Sequence, residues 1–485
     1  MSLQWIEKDF IFPCLCFRLV AGLIPIHVGL LGHVDHGKTE LARALSEYVS
    51  TAGLDRHPQA RERGMTIDLG FTFFRLDGFL VTLVDAPGHA DLVRNVVAGA
   101  NIIDAAILVV AADEGPKVQT GEHVLILHMF GVSSVVVALN KIDLVDEERV
   151  RMVEESVRRI LKGTILEGAP VVHVSAATGK GLDELKRRLL EVLKPPERNV
   201  NGSFVMPIDH AFHVRGAGTV LTGTVHRGVV RVGDAAEVMP LGLKVKVRSI
   251  QSAGEERSEA KAGDRVGIAV TGVEPEKVYR GCYLGAPGTL KATSSIMAKV
   301  KFNRLFKYAL RSGSDVHLTV GMPTIPAKMY LLRSGGEGVY VPVEEVRGGG
   351  EMLCYFALSR PVVAEEGMPV LVSKLDLPPT VLRIAGGGRV TDADPGKVKL
   401  ASEKVKIGVV RMRRGRGWVV SGLASSRVGA EKLIGEGVKA ARGVRGRVVE
   451  AFGGRGDVVV EFEGEVGERE EVYLRILRAK GGMLP

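Results

Sequence analysis

Phosphate binding is the first chemistry that the residue types and their spacing suggest. Residues 32–39 read Gly-His-Val-Asp-His-Gly-Lys-Thr, which fits the phosphate-loop pattern of two glycines followed by lysine and threonine. The glycines let the backbone fold around an anion, so that successive N–H groups point at phosphate oxygens. The Lys38 ammonium would reach the outer phosphates, and the Thr39 hydroxyl would bind Mg²⁺. We expect the phosphate-binding N–H groups to belong to Asp35, His36, Gly37, Lys38 and Thr39.

Two later motifs predict the rest of a guanine-nucleotide site. Residues 85–89 read Asp-Ala-Pro-Gly-His after an apolar run. Asp85 would hold Mg²⁺ through water, and the Gly88 N–H would contact the γ-phosphate. Residues 140–143 read Asn-Lys-Ile-Asp. Asp143 can accept two hydrogen bonds from guanine that adenine cannot supply, so the site should select GTP over ATP.

Three further roles complete the predicted base pocket. Lys141 would lie over the base, Asn140 would brace the phosphate loop, and the backbone at Ser175–Ala176 would donate an N–H to guanine O6. Each motif alone is weak evidence. Four motifs in this order, each after an apolar strand, predict a GTP-binding domain.

The elements that must position these motifs alternate between strand and helix. Such alternation predicts a parallel sheet with helices on both faces and its ligand at the strands' carboxyl ends. The predicted strands are 26–31, 79–84, 105–111, 134–139 and 170–174, and the predicted helices are 40–49, 92–100, 120–130, 146–162 and 182–193.

The motifs at residues 32–39, 85–89 and 140–143 together resemble those of the elongation factor Tu superfamily of translational GTPases. The resemblance implies GTP or GDP with Mg²⁺ as ligands, and a first switch at residues 62–67. Thr66 would close on Mg²⁺ and the γ-phosphate. His89 matches the histidine that turns toward the attacking water at the ribosome, so His89 and Thr66 would be catalytic. Val34 and Met65 would form an apolar gate that holds His89 back beforehand.

Beyond a Pro195-Pro196 pair the pattern changes to short strands with turn glycines, which is typical of small antiparallel barrels. We therefore expect a multidomain chain, with an α/β P-loop GTPase domain, two antiparallel β-barrels and a small C-terminal β domain. The expected boundaries are 1–25 for an extension or mis-assigned start, 26–198, 199–288, 289–390 and 391–485. The strand-like segments of the first barrel are 204–208, 210–214, 219–225, 229–232, 237–239, 245–251 and 265–270.

The barrel entry at residues 207–219 and the segments 244–251 and 260–266 resemble the selenocysteine-specific elongation factors. That resemblance implies that Asp209, His210 and Arg248 line the pocket for the aminoacyl group. A selenol is more acidic than a thiol, so selenocysteine is largely anionic at neutral pH, whereas serine is neutral. Arg248 and a protonated His210 would favour the anion, and Asp209 would orient them. His210 stands where bacterial members carry arginine, which indicates the archaeal or eukaryotic branch.

The segment from residue 400 to 485 carries 17 Lys and Arg against 11 Asp and Glu, a net charge of +6. Arginine clusters at 411–416 and 442–447 could meet RNA phosphates. The segment is too short for the tandem winged helices of bacterial members. Recognition of a selenocysteine-insertion hairpin RNA would then need this module or a separate RNA-binding protein.

The composition fits a cytoplasmic protein with a polyanionic partner. The chain has a net charge of +9 and four cysteines without zinc spacing, which favours a reducing compartment. Residues 10–26 are mostly apolar, but Arg18 interrupts a run already short for a bilayer, so we expect no membrane role.

We therefore predict a monomeric, ribosome-stimulated GTPase that delivers selenocysteinyl-tRNA to the ribosome at recoded stop codons. Three alternatives remain open at this point. One is an initiation factor gamma-like subunit, whose usual Cys-x-x-Cys insertion is missing before Asp85. Another is the GTPase subunit of a sulfate adenylyltransferase, which would have no use for the basic C-terminal module. The last is a GTP-regulated RNA-binding protein that has lost selenocysteine.

Overall fold

The computed structural model describes residues 23–46, 48–49, 70–85, 103–252, 255–336, 338–378 and 380–484. The chain forms two compact units, one of Met1–Tyr330 with Glu345–Pro395 and the other of Leu331–Glu344 with Gly396–Pro485. No helix in these described ranges has the length and apolar character needed to cross a membrane.

The first domain is a seven-stranded sheet in the order β2-β3-β4-β1-β5-β6-β7. Helices cover both of its faces, because Leu41 and Leu185 belong to one buried cluster and Val124 and Val153 to another. Its strands are β1 Ile24–Gly32, β2 Tyr48–Val49, β3 Gly70–Leu76, β4 Phe79–Asp85, β5 Ala105–Ala111, β6 Val135–Asn140 and β7 Val171–His173. Its helices are α1 Lys38–Leu45, α2 Val118–Phe130, α3 Glu147–Leu161 and α4 Leu182–Val192.

Two expectations for this domain need correction. The sheet is mixed, because β3 pairs antiparallel with β4 and β2 antiparallel with β3, whereas the other pairs are parallel. The first helix ends at Leu45 instead of 49, and Tyr48–Val49 forms the edge strand. Ser46 holds the chain there, because its hydroxyl donates to the Ala42 carbonyl oxygen and lies 2.7 Å from the Thr72 hydroxyl on β3. The helix expected at 92–100 lies outside the described residues.

The first barrel closes in the order β11-β16-β8-β9-β15-β12, with β11 pairing back onto β12. The segments expected at 204–208 and 210–214 form one strand, interrupted by a register shift between Ile208 and His210. The strands of this part of the chain are β8 Val205–Val214, β9 Gly218–Thr224, β10 Val229–Arg231, β11 Ala235–Met239, β12 Leu243–Ser252, β13 Glu255–Arg257, β14 Glu259–Lys261, β15 Arg265–Thr271 and β16 Tyr283–Gly285.

The second barrel closes in the order β19-β24-β25-β17-β23-β20, with β20 pairing back onto β19. Residues 331–344, which include the end of β20 and the whole of β21, form a hairpin that belongs to the C-terminal unit. The strands of this part of the chain are β17 Ala292–Phe302, β18 Leu310–Arg311, β19 Ser314–Val320, β20 Thr324–Gly336, β21 Val339–Val343, β22 Glu345–Val346, β23 Glu351–Val363, β24 Pro369–Ser373 and β25 Ile384–Asp392.

The C-terminal unit is a small β structure with the strand order β26-β27-β30-β29-β28-β31, in which β31 also pairs with β26. Trp418 is half-buried against its apolar core. The unit contains β26 Val398–Arg414, β27 Gly417–Ser421, α5 Arg427–Glu431, β28 Gly437–Ala440, β29 Arg445–Phe452, β30 Asp457–Phe462 and β31 Glu471–Leu484.

Candidate functional site

The phosphate loop joins the buried strand β1 to α1, and its glycines are sterically required. A Cβ on Gly32 would lie 2.2 Å from the Val109 carbonyl oxygen, and one on Gly37 would lie 2.4 Å from Asn140 Nδ2. Gly37 caps the helix with φ +80°, a left-handed conformation that favours glycine. The loop can therefore hold an anion against backbone N–H groups at a helix start.

Lys38 is the cation of this loop. It is 6% exposed, and its Nζ donates to the carbonyl oxygens of His33 at 2.8 Å and Gly32 at 3.1 Å. Its positive charge is thus held over the loop, where a triphosphate would meet it. Among the other predicted loop residues, Asp35 is exposed, and Val34 and Thr39 are half-buried.

His36 adds no charge to the loop. Burial lowers the pKa of His36 to about 4 despite the hydrogen bond between its Nδ1 and the Val109 carbonyl oxygen, at 3.2 Å. The imidazole is therefore neutral near pH 7, and the attraction for phosphate comes from Lys38 and the backbone.

Asn140 connects the phosphate loop to the segment after β7. Its Nδ2 donates to the His36 carbonyl oxygen, and its Oδ1 accepts from the Ala176 N–H, both at 3.0 Å. The Ser175 N–H donates to the Lys180 carbonyl oxygen at 2.9 Å. Both N–H groups expected to face guanine O6 therefore already donate hydrogen bonds within the protein. A guanine base would have to compete with Asn140 for the Ala176 N–H.

The remaining base-pocket residues, Lys141 and Asp143, follow the end of β6. Lys141 has φ +62°, and its ammonium lies 3.7 Å from the Asp113 carboxylate. Asp143 is exposed in the short turn of Ile142–Leu144. Exposed carboxylate and half-buried ammonium groups at the carboxyl ends of parallel strands form a polar edge that can receive a base.

Several predicted site residues cannot be placed. Thr66, Met65, Gly88 and His89 lie outside the described residues. Asp85 ends β4, where its backbone is paired with Leu30 on β1 and Gly70 on β3. The proposed switch, gate and water-positioning roles therefore stay predictions.

Asp209 is the buried centre of the candidate aminoacyl pocket. Its side chain is 1% exposed and forms an ion pair with Arg265. It also accepts from the Thr222 hydroxyl at 2.5 Å and lies 3.0 Å from Nδ1 of His210. Burial alone would raise the pKa of Asp209, but the charge of Arg265 and the hydrogen bond and charge of His210 outweigh it and hold that pKa well below its usual range.

The predicted arginine of this pocket lies on a different strand from Asp209 and His210, and its role stays a prediction. Arg248 is exposed on β12, and β12 lies three strands from β8 in either direction around the six-stranded barrel. The arginine that the structure places against Asp209 is Arg265, at the start of β15. The pairing of β15 with β9, next to β8, brings this arginine to Asp209. Sequence reasoning included residues 260–266 in the family match but gave Arg265 no role.

Two further contacts join the first domain to the barrels and were not predicted. Glu122 on α2 and Arg383 before β25 form an ion pair whose side chains are both 1% exposed. Nε2 of His27 on β1 lies 3.0 Å from the Gly263 carbonyl oxygen of the first barrel. Buried polar contacts of this kind fix the relative position of packed segments, because breaking them leaves polar groups without partners.

Three protein-family models match the chain. The elongation factor Tu GTP binding domain matches residues 25–195. Elongation factor Tu domain 2 matches residues 218–285. Domain III of the archaeal selenocysteine-specific elongation factor matches residues 290–394.

Similar proteins extend over most of the chain. A selenocysteine-specific elongation factor of Methanocaldococcus jannaschii is 44% identical over 464 residues, 94% of this chain and 98% of its own length. One from Mus musculus is 37% identical over 62% of this chain and 56% of its own length. The crystal structure of translation elongation factor SelB from Methanococcus maripaludis with the GTP analogue GppNHp has a TM-score of 0.74 at 42% identity, covering 95% of this chain and 99% of that one.

Proposed function

The chain belongs to the selenocysteine-specific elongation factors, and we propose that its first barrel reads the selenocysteine of a charged tRNA while its first domain holds GTP. As a member of this family it is a translational GTPase that binds GTP or GDP with Mg²⁺. The initiation-factor and sulfate-adenylyltransferase alternatives are not favoured, because a relative covering 94% of the chain is a selenocysteine-specific elongation factor.

The observation that carries the proposal is the arrangement of charge around Asp209. The carboxylate is the most buried member, with 1% exposure, whereas Arg265 is 9% and His210 25% exposed. The cations therefore lie nearer the surface than the anion that orients them. A selenolate would meet the positive end of this group, whereas the neutral hydroxyl of serine would gain little from it.

The expected selectivity follows from the charge difference. A charge-assisted hydrogen bond contributes about 1.5–3 kcal/mol, which corresponds to roughly one to two powers of ten in affinity. Serine would leave the Arg265 and His210 donors facing a weaker acceptor in a partly dehydrated pocket, which widens the difference.

The experiment is an equilibrium titration of the protein, with a GTP analogue, against selenocysteinyl-, seryl- and cysteinyl-tRNA. We expect the selenocysteinyl form to bind at least tenfold more tightly than the seryl form. Equal affinity for all three would overturn the proposed specificity.

Hydrolysis is proposed to wait for the ribosome. Lys38 and the loop N–H groups hold the phosphates, and Mg²⁺, when bound, neutralises charge on the phosphate oxygens. His89 would then orient the attacking water once the ribosome positions its side chain.

We further propose that the protein acts as a monomer in the cytoplasm, and that its basic C-terminal unit, or a separate protein, reads the recoding hairpin.

The substitution His89→Ala tests the role of this histidine. It is expected to abolish ribosome-stimulated GTP hydrolysis while GTP affinity stays at its original value, since His89 would contact water and not the nucleotide. Hydrolysis rates with and without ribosomes and a nucleotide titration measure both. A parallel loss of GTP binding would contradict the assignment.

A further inference from the structure

Arg265 contacts the first domain as well as the pocket. Its guanidinium carbon lies 3.4 Å from the centroid of the Phe71 ring, while its Nη1 pairs with Asp209. Phe71 lies on β3 of the first domain and Asp209 on β8 of the first barrel. The pocket cation therefore lies between an aromatic face on one domain and a carboxylate on the other.

The Phe71 ring is fixed with respect to the nucleotide end of the sheet. It is 1% exposed and packs in the apolar cluster that contains Leu31 and Val84. Its backbone pairs with Val84, and the preceding residue, Gly70, pairs with Asp85. Phe71 is thus one residue along a hairpin from the position predicted to hold Mg²⁺ through water.

We propose that Phe71 is the positioning residue that couples the nucleotide state to the selenocysteine pocket. A shift of the β3–β4 hairpin at its Asp85 end moves the ring relative to the Arg265 guanidinium. Because Asp209 holds the same guanidinium and lies against His210, that shift changes the positions of the two cations that face the aminoacyl group. The inference rests on the proposed function, because it assigns the regulation of that same pocket.

The energetics allow a measurable effect. A cation over an aromatic face is stabilised most when both groups are withdrawn from water, and the Arg265 side chain is only 9% exposed. A ligand shifts an equilibrium only through a difference in interaction between the two states. The contact between Phe71 and Arg265 supplies such a difference if its geometry depends on the nucleotide.

Phe74 provides a matched control on the same strand. It is also 1% exposed, but it packs in the cluster on the other face of the sheet. Its ring lies 5.9 Å from the Lys186 ammonium of α4, within the first domain. Phe71→Leu and Phe74→Leu therefore remove the same ring from equally buried sites, and only the first removes a contact with the pocket.

The experiment measures the affinity for selenocysteinyl-tRNA with a GTP analogue and with GDP, in the original protein and in both variants. We expect the ratio of the two affinities to fall by about fivefold to thirtyfold in Phe71→Leu and to stay unchanged in Phe74→Leu. The coupling is reciprocal, so the charged tRNA also favours binding of the GTP analogue over binding of GDP. That preference must fall by the same factor in Phe71→Leu. A merely destabilised fold would weaken tRNA binding in both nucleotide states alike and leave the ratio unchanged.

The failures of the two ideas are distinguishable. An original protein that binds selenocysteinyl- and seryl-tRNA with equal affinity would overturn the proposed function before any variant is compared. A normal ratio in Phe71→Leu, or an equal loss in Phe74→Leu, would overturn only the role of Phe71.

Discussion

At the scale of single residues, the pocket depends on which arginine reaches Asp209. Both Arg248 and Arg265 are basic residues of strands in the same barrel, and only long-range strand pairing separates them. The family resemblance predicted Asp209 and His210 as pocket residues, because they are adjacent in a matching motif. It could not identify Arg265, because its approach to Asp209 depends on the order of β8, β9 and β15.

Replacement of this arginine tests its proposed part in the pocket. Arg265→Ala is expected to remove the preference for selenocysteinyl- over seryl-tRNA, a loss of at least tenfold, because it removes the ion-pair partner of Asp209 and one cation of the pocket. Arg248→Ala, measured beside it, tests whether the predicted arginine also contributes to the preference. Competition binding of the two charged tRNAs measures both. An unchanged preference in Arg265→Ala would contradict the role proposed for Arg265.

Two buried histidines predict how stability depends on pH. Burial, the largest cause, lowers the pKa of His27 to about 4 and that of His123 to about 3. Both are below the unfolded value of 6.5, so in acid the unfolded chain binds protons before the folded one does. Stability should therefore fall as the pH drops from about 6.5 toward 4, by about 2 kcal/mol per histidine between pH 7.5 and 5.

His123→Leu isolates one of these groups. His123 is 2% exposed, and its Nδ1 has no hydrogen-bond partner among the described residues. Between pH 7.5 and 5, the free energy of unfolding should fall by about 2 kcal/mol less in the variant than in the original chain. Denaturant unfolding at the two pH values measures the difference. An identical pH dependence in both proteins would show that His123 is not buried in its neutral form.

At the scale of elements, the sequence predicted the strands and helices whose signals are local. The run Ala105–Ala111 is apolar throughout and is buried at every position. Strand β3 was missed, although Asp77-Gly78 at its end is a strong hairpin signal and both residues have positive φ. Phe71 packs on one face of the sheet and Phe74 on the other, so β3 lacks the alternation of apolar and polar residues that is typical of a half-buried strand.

The ion pair between α2 and the segment before β25 gives a prediction about element packing. Glu122→Ala removes a carboxylate from Arg383, whose backbone N–H donates to it at 3.0 Å. With both side chains 1% exposed, the free energy of unfolding should fall by about 3–5 kcal/mol. Glu184→Ala, which breaks an exposed pair with Arg187 on α4, is the control and should have little effect. Equal effects of both substitutions on denaturant unfolding would contradict a structural role for the buried pair.

At the scale of the whole molecule, the number and type of domains followed from the sequence, because the change from alternating helices to short strands is visible in the pattern. The composition of the C-terminal unit was not predictable. It includes residues 331–344, which continue from β20 of the second barrel into β21. The hairpin belongs to the C-terminal unit because β21 pairs with β26, and these two strands are far apart in sequence.

The nucleotide dependence of tRNA binding tests the central claim most directly. It is measured by titrating selenocysteinyl-tRNA into the full chain saturated with a GTP analogue or with GDP. Tight binding with the analogue and at least tenfold weaker binding with GDP are expected, because the first domain shares buried contacts with the first barrel through Arg265 and with the second barrel through Glu122. Equal affinity in the two nucleotide states would contradict the claim that the first domain controls the barrel pocket.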